Sequence, residues 1–197
     1  MATTRPLRAD AARNRQLLLA AAAEEFAERG LDVSVADIAR RAGVGKGTVF
    51  RHFATKDDLL AAIVIDRIGT LVAAGRRLLD GADPGAALLE FLTIAARQRQ
   101  QLDLSFLQEA GELSDEVTTA RSRLFQTIDQ LVDRARDHGA IRDDVTGTDV
   151  TLLMCAPNYV ASYAPDASPD LWQRYLAIIF DGLRRQGAHP LPHPPPT

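Results

Sequence analysis

The chain has 197 residues, 23 of them Lys or Arg and 26 Asp or Glu, with a net charge of −3 and a single cysteine. That length exceeds a lone binding motif and has room for a second, larger bundle. One cysteine excludes an intrachain disulfide, and neither a signal peptide nor an apolar run of spanning length is visible, so a protein of the reducing cytoplasm is expected.

Charge is unevenly spread. Residues 1–56 hold ten Lys and Arg against six Asp and Glu, while the remaining 141 hold thirteen against twenty. A basic head on an acidic body suits a protein that touches phosphates with one end. Residues 1–9 read as a mobile arm, either a frayed terminus or a segment whose Arg5 and Arg8 reach phosphate or the minor groove. The first helix is expected over residues 10–29, where Leu18, Ala22 and Phe26 recur every four residues and Gly30 ends the run.

Residues 32–53, DVSVADIARRAGVGKGTVFRHF, organise the chain. Ser34 can N-cap a short helix, with Asp37 three residues on as in a capping box. Ile38, Ala39 and Ala42 give that helix one apolar face, and Gly43 is a stop that tolerates positive φ. Val44 re-enters the core. Val49 and Phe53, four apart, form the apolar stripe of a second short helix. Two short helices with a glycine between them make a helix-turn-helix, and the second is shaped to enter a DNA major groove.

A long helix follows over residues 55–79, with Thr55 and Asp58 as a second capping box and Leu59, Leu60, Ile63, Val64, Ile68, Leu71 and Val72 as its apolar pattern. Gly69 and Gly75 weaken it and are candidates for a bend. Asp83 and Pro84 open a helix to about Gln101, buried through Leu88, Leu89, Leu92 and Ala95. A shorter helix is expected over residues 102–111. Ser114 caps the next, in which Val117, Ala120, Leu124, Ile128, Leu131 and Ala135 recur at three and four before Gly139 stops it. Thr146 or Thr148 begins a helix to about Ser162, and residues 164–168 form a loop. Pro169 at a first turn starts the last helix, ending near Gly187. The tail AHPLPHPPPT cannot be regular and is expected to be disordered. No β pattern and no internal repeat is visible.

The last two helices are apolar on more than one face, through Leu152, Leu153, Met154, Tyr159, Val160 and Tyr163 and through Leu171, Trp172, Tyr175, Leu176, Ile178 and Phe180. Such helices need two partners. The body is one, and the same pair from a second subunit is the expected other, an isologous four-helix contact. Pro157 falls inside the first of these helices, where it removes a backbone bond and bends the chain. Asn158 beside it offers both donor and acceptor. The bend either lines a ligand cavity or serves only the dimer seam. On the cavity reading, Phe91, Phe106, Phe125, Met154 and Asn158 are the ligand-binding residues.

Several patterns imitate chemistry. GVGKGT at residues 43–48 lacks the Gly-Lys-[Ser/Thr] order of a phosphate loop, and no strand precedes it. His189 and His193 supply two ligands, too few for a closed metal site. Glu109 and Glu112, at i and i+3, read as a solvated helix face. No nucleophile–base pair stands out, so no enzyme, cofactor or metal is expected.

The run SVADIARRAGVGKGTVFRHFATKDDLL, residues 34–60, together with Leu18 to Phe26 and Gly30, resembles the TetR family of bacterial transcription regulators over residues 10–65. LVDRARDHGAIRDDVTGTDVTLL, residues 131–153, is similar to the C-terminal part of the SbtR-like subgroup. The resemblance implies an all-α homodimer of about nine helices. Residues 1–54 would form a helix-turn-helix DNA-binding domain, residues 55–187 an effector-binding and dimerisation domain, and residues 188–197 a disordered Pro-rich tail.

By position, the resemblance also implies Lys46, Gly47, Thr48, Arg51, His52 and Lys56 as DNA contacts, with Ser34 beside them. Lys46 can reach a base edge or a phosphate, while Thr48 and His52 are short donors suited to phosphate oxygens. Lys56 lies in the first turn of the following helix, whose N–H groups also favour a phosphate. Gly47 lets the backbone come close, and Arg51 is the candidate for bidentate guanine reading. Phe50 stands where the family usually has Tyr, so a phenolic phosphate bond is missing. Ala36 stands where some members place a base-reading Arg. Arg40 and Arg41 read as helix-face charges rather than DNA contacts.

The function expected is a ligand-responsive homodimeric repressor of a palindromic operator. Its partners would be double-stranded DNA, an unknown small molecule and a second copy, with no membrane. An activator remains open. The alternatives are a protein-interaction module that does not read DNA and a small-molecule enzyme on a helical scaffold.

Overall fold

The computed structural model describes residues 4–101, 114–164, 166–186 and 188–195, with the backbone alone for residues 4–12 and 100–101. Among the described residues there are nine α-helices: α1 (Thr4–Arg29), α2 (Val35–Arg41), α3 (Lys46–His52), α4 (Lys56–Leu79), α5 (Pro84–Gln101), α6 (Asp115–Asp137), α7 (Gly147–Leu153), α8 (Ala156–Ala161) and α9 (Leu171–Leu183). One turn of 3-10 helix, Gly30–Asp32, joins α1 to α2. The fold is all-α, and the sole β geometry among the described residues is an isolated antiparallel bridge between Ile141 and Arg184. No described helix is long and apolar enough to cross a membrane. The chain divides into two compact units, Met1–Arg67 with Leu102–Val117, and Ile68–Gln101 with Thr118–Thr197. They are called here the head and the body.

The head core gathers Leu18, Ala22 and Phe26 of α1, Ile38 and Ala39 of α2, Val49 of α3, and Leu59, Leu60 and Ile63 of α4, with Val33 and Phe53 from the connections. The first turns of α4 are thus part of the head. Thr55 and Asp58 cap that helix reciprocally, Thr55 N donating to Asp58 Oδ2 at 2.9 Å and Asp58 N to Thr55 Oγ1 at 3.0 Å. The start of α1 differs from expectation. The helix begins at Thr4, not near residue 10, so most of the expected arm is helical. Pro6 sits in the first turn, where no intrahelical N–H bond is lost.

The body core is built on Leu88, Phe91 and Leu92 of α5, Ile128, Leu131 and Val132 of α6, and Trp172, Leu176, Phe180 and Leu183 of α9. α4 continues through Gly69 and Gly75 to Leu79 as one helix. Gly75 is a contact glycine: a Cβ there would lie 2.4 Å from Thr127 Cγ2 and 3.2 Å from Phe91 Cε2.

Thr146, rather than Thr148, caps α7. Its N donates to Asp149 Oδ2 at 2.8 Å, and Asp149 N returns to Thr146 Oγ1 at 3.3 Å. The single helix expected to Ser162 is two, because Pro157 falls in the first turn of α8 and the α7 ladder ends ahead of it. A proline has no N–H to extend the earlier helix, and its ring excludes the carbonyl four residues back. α9 stops at Leu183, short of the expected end. Arg184 turns extended and bridges Ile141, and Arg142 N takes the Leu183 carbonyl at 2.9 Å. The tail over residues 188–195 has no helix or strand, and the Arg142 guanidinium donates to the His189 carbonyl. The expected helix over residues 102–111, with Phe106, Glu109 and Glu112, lies outside the described residues.

Candidate nucleic-acid interface

The helix pair is set by short local bonds. Ser34 Oγ accepts from Asp37 N at 3.2 Å and donates to Asp37 Oδ2 at 2.6 Å. The Asp37 carboxylate also meets the Arg40 guanidinium and lies 3.6 Å from Arg29 Nη1. The Ser34 hydroxyl bond first, then the Arg40 bond and the Arg29 charge, hold the Asp37 carboxyl at about 2.

Arg41 turns back onto α1. Its Nε lies 2.9 Å from Glu25 Oε1, and Nη1 lies 2.9 Å from Glu28 and 3.5 Å from Glu24. Glu25 is almost fully buried and also pairs with Arg29 at 3.2 Å. The Glu28 bond raises the Arg41 pKa, and the same bond lowers that of Glu28. Both arginines of α2 therefore serve the head's own frame.

The turn between the helices is a Schellman motif. Val44 N reaches the Ala39 carbonyl at 3.0 Å and Gly43 N the Arg40 carbonyl at 3.2 Å, with Gly43 at φ 68°. A residue with a Cβ would be strained there. Val49 and Phe53 seat α3, and Arg15 Cζ lies 5.5 Å from the Phe53 ring centre.

The rest of α3 faces outward. Lys46, Gly47, Phe50 and Arg51 are exposed, and Thr48 and His52 are half-buried. Arg51 Nε donates to the Gly47 carbonyl at 3.2 Å, which steadies the stem of the guanidinium along the helix. Thus Lys46, Gly47, Thr48, Arg51 and His52 share one short helix. Ser34 and Lys56 lie outside it. Ser34 is the α2 cap. The half-buried Lys56 donates through Nζ to the Leu31 carbonyl at the surface of the head and lies 5.6 Å from the Phe26 ring centre. The phosphate role expected for Lys56 rested on its place in the helix, which says nothing of Leu31.

In the body, Phe91 is fully buried, Met154 packs against the same core, and Asn158 Nδ2 donates to the Ala96 carbonyl at 2.8 Å. Asn158 Oδ1 and Trp172 Nε1 are buried atoms without a hydrogen-bond partner among the described residues. Phe125 is 46% exposed. An apolar groove of about 400 Å³ between α7, α9 and Leu191 of the tail is lined by none of these residues.

Comparison with known proteins agrees with this geometry. Residues 18–63 match the family model described as bacterial regulatory proteins, tetR family. Residues 83–185 match the SbtR-like C-terminal domain of transcriptional regulators. The crystal structure of a TetR transcription regulatory protein from Mycobacterium vanbaalenii is similar with a TM-score of 0.68 and 35% identity over 91% of this chain and 99% of that one. A TetR transcriptional regulator from Streptomyces coelicolor gives 0.67 and 29%, covering 88% and 99%. The transcriptional repressor KstR2 of Mycolicibacterium smegmatis is 27% identical over 191 residues, 87% of this chain and 91% of its own. A repressor of Mycobacterium tuberculosis is 48% identical over 68 residues, and the match spans 34% of that relative's length.

The chain belongs to the TetR family of bacterial regulatory proteins. It is a DNA-binding transcriptional regulator, and its relatives are regulators rather than enzymes.

Proposed function

We propose that this protein is a homodimeric, effector-responsive repressor that binds a palindromic operator in the cytoplasm. The observation that carries the dimer is an uncovered apolar set on α7 to α9 and the turn after α8: Leu152 is 63% exposed, Tyr159 63%, Tyr163 74% and Ile178 54%. A second copy meeting the same set would bury it from both sides. Similarity to KstR2, itself named a repressor, over most of both chains favours repression over activation.

On this reading residues 1–54 read DNA and residues 55–187 bind effector and partner. Lys46, Thr48 and His52 contact phosphate, Gly47 admits the backbone and Arg51 reads guanine, while Ser34 and Lys56 hold the turns on either side. The two α3 helices enter major grooves about 34 Å apart, or a multiple of that. The effector lies among Phe91, Met154 and Asn158. A hydroxyl on it can accept from Trp172 Nε1 or donate to Asn158 Oδ1, both without a hydrogen-bond partner among the described residues. Repression is relieved to the extent that the effector prefers a state whose heads are wrongly spaced.

The test is Tyr163→Asp combined with Ile178→Asp, compared with wild type by sedimentation and by gel shift on the gene's own upstream DNA. The variant is expected to be a folded monomer with operator affinity reduced by about a hundredfold or more, since linked binding of two heads is lost. A wild-type monomer, or a variant that dimerises and binds undiminished, overturns the proposal.

A further inference from the structure

Phe50 is exposed on the helix that meets the groove, and the core does not need it. Val49 and Phe53 seat α3 with 1% and 5% exposure, whereas Phe50 is 52% exposed. Three residues earlier stands Gly47, and nothing lies within 4 Å of where its Cβ would be. Residues three apart on a helix are surface neighbours, so the ring borders an open patch with no side chain to cover it. Arg51, four residues after Gly47, flanks the same patch on the side away from Phe50, its Nε tied to the Gly47 carbonyl at 3.2 Å.

A phenyl ring neither donates nor accepts a conventional hydrogen bond, so it adds nothing to a phosphate contact. The major groove carries one apolar feature, the C5-methyl of thymine. We infer that Phe50 is a specificity-determining residue that packs on a thymine methyl in each half-site, through the opening left by Gly47. This rests on α3 being the reading helix. It adds an apolar reading position to the guanine proposed for Arg51.

The test removes the methyl without touching the protein. Duplexes enriched by the full-length protein from a random pool define the site. That site is resynthesised with deoxyuridine in place of thymidine, one position at a time. In each half-site, one such replacement is expected to weaken wild-type binding about fourfold, the worth of one methyl group withdrawn from water. Phe50→Ala is expected to bind the thymine and uracil duplexes alike, and Phe50→Tyr to keep the discrimination. Absence of any uracil-sensitive thymine, or sensitivity that persists in Phe50→Ala, overturns the inference. A failure of the DNA-binding reading looks different: no duplex is enriched at all, and both readings fall.

Discussion

In the head, a buried carboxylate, Glu25, is shared by Arg29 and Arg41, a serine caps α2 through Asp37, and a lysine ties α4 to a backbone carbonyl beside α1. In the body, Thr127 is the one polar residue buried as a whole among the described residues, and the core is Trp172, Phe91, Phe180 and aliphatic residues. Directional bonds fix angles as well as distances, and a reading helix must present its side chains to a groove within a narrow tolerance. Apolar packing is non-directional, and a core that keeps volume and pattern tolerates repacking. That is the quality the body needs if, as proposed, it admits a ligand. The body has directional bonds too, Thr146 with Asp149 and Asn158 with the Ala96 carbonyl, but these side chains are half-buried, at the starts of α7 and α8, and not in its core.

The largest effect expected from breaking this contrast lies in the body. Trp172 is 1% exposed and among the largest buried side chains. Trp172→Ala is expected to cost about 3–5 kcal/mol, the sum of lost transfer energy and an unfilled cavity. Trp172→Phe should cost less, because it keeps an aromatic ring and removes an N–H that has no partner among the described residues. Urea denaturation followed by circular dichroism measures both. Equal losses for the two variants would mean that the indole N–H is satisfied in solution.

The same contrast explains what could be read in the sequence. Ser34 with Asp37, Thr55 with Asp58 and Gly43 between Arg40 and Val44 each complete a bond within five residues, so the letters carry the geometry. Gly75 looked like a weak point in a helix because its neighbours, Thr127 and Phe91, come from other helices. The contact of Lys56 with the Leu31 carbonyl was invisible for the same reason: that acceptor is brought near by the fold. Pro157 signalled a disturbance, but whether the helix bends or breaks depends on where α7 ends, which no local letter states. The exposure of Phe125 was legible. It lies one residue off the Val117–Ala135 stripe and is exposed, as that stripe implies.

A second, intermediate effect separates two lysines that sequence position alone made alike. Lys46→Ala is expected to weaken operator binding and to lower the slope of log affinity against log salt by about 0.9, the signature of one lost phosphate contact. Lys56→Met is expected to weaken binding with the slope unchanged, because its ammonium is held by Leu31 and Phe26. Fluorescence anisotropy over a range of potassium chloride reads both slopes. A slope change of the same size for Lys56→Met would return that residue to the interface.

The smallest effect concerns acid. The folded Asp37 carboxyl titrates at about 2, while an unfolded aspartate titrates near 3.9. A depressed folded value means that the charged form stabilises the head above the unfolded value, and that this contribution fades as pH falls toward the folded one. Asp37→Asn lacks the titration. The stability gap between wild type and Asp37→Asn should therefore be constant above about pH 5 and shrink between about pH 4 and 2. Thermal melts at stepped pH supply the comparison. A gap unchanged down to pH 2 would show that the Asp37 carboxylate does no more than an amide could. The rigidity of the head would then rest on the Glu25–Arg41 pair and the apolar seat of α3 alone.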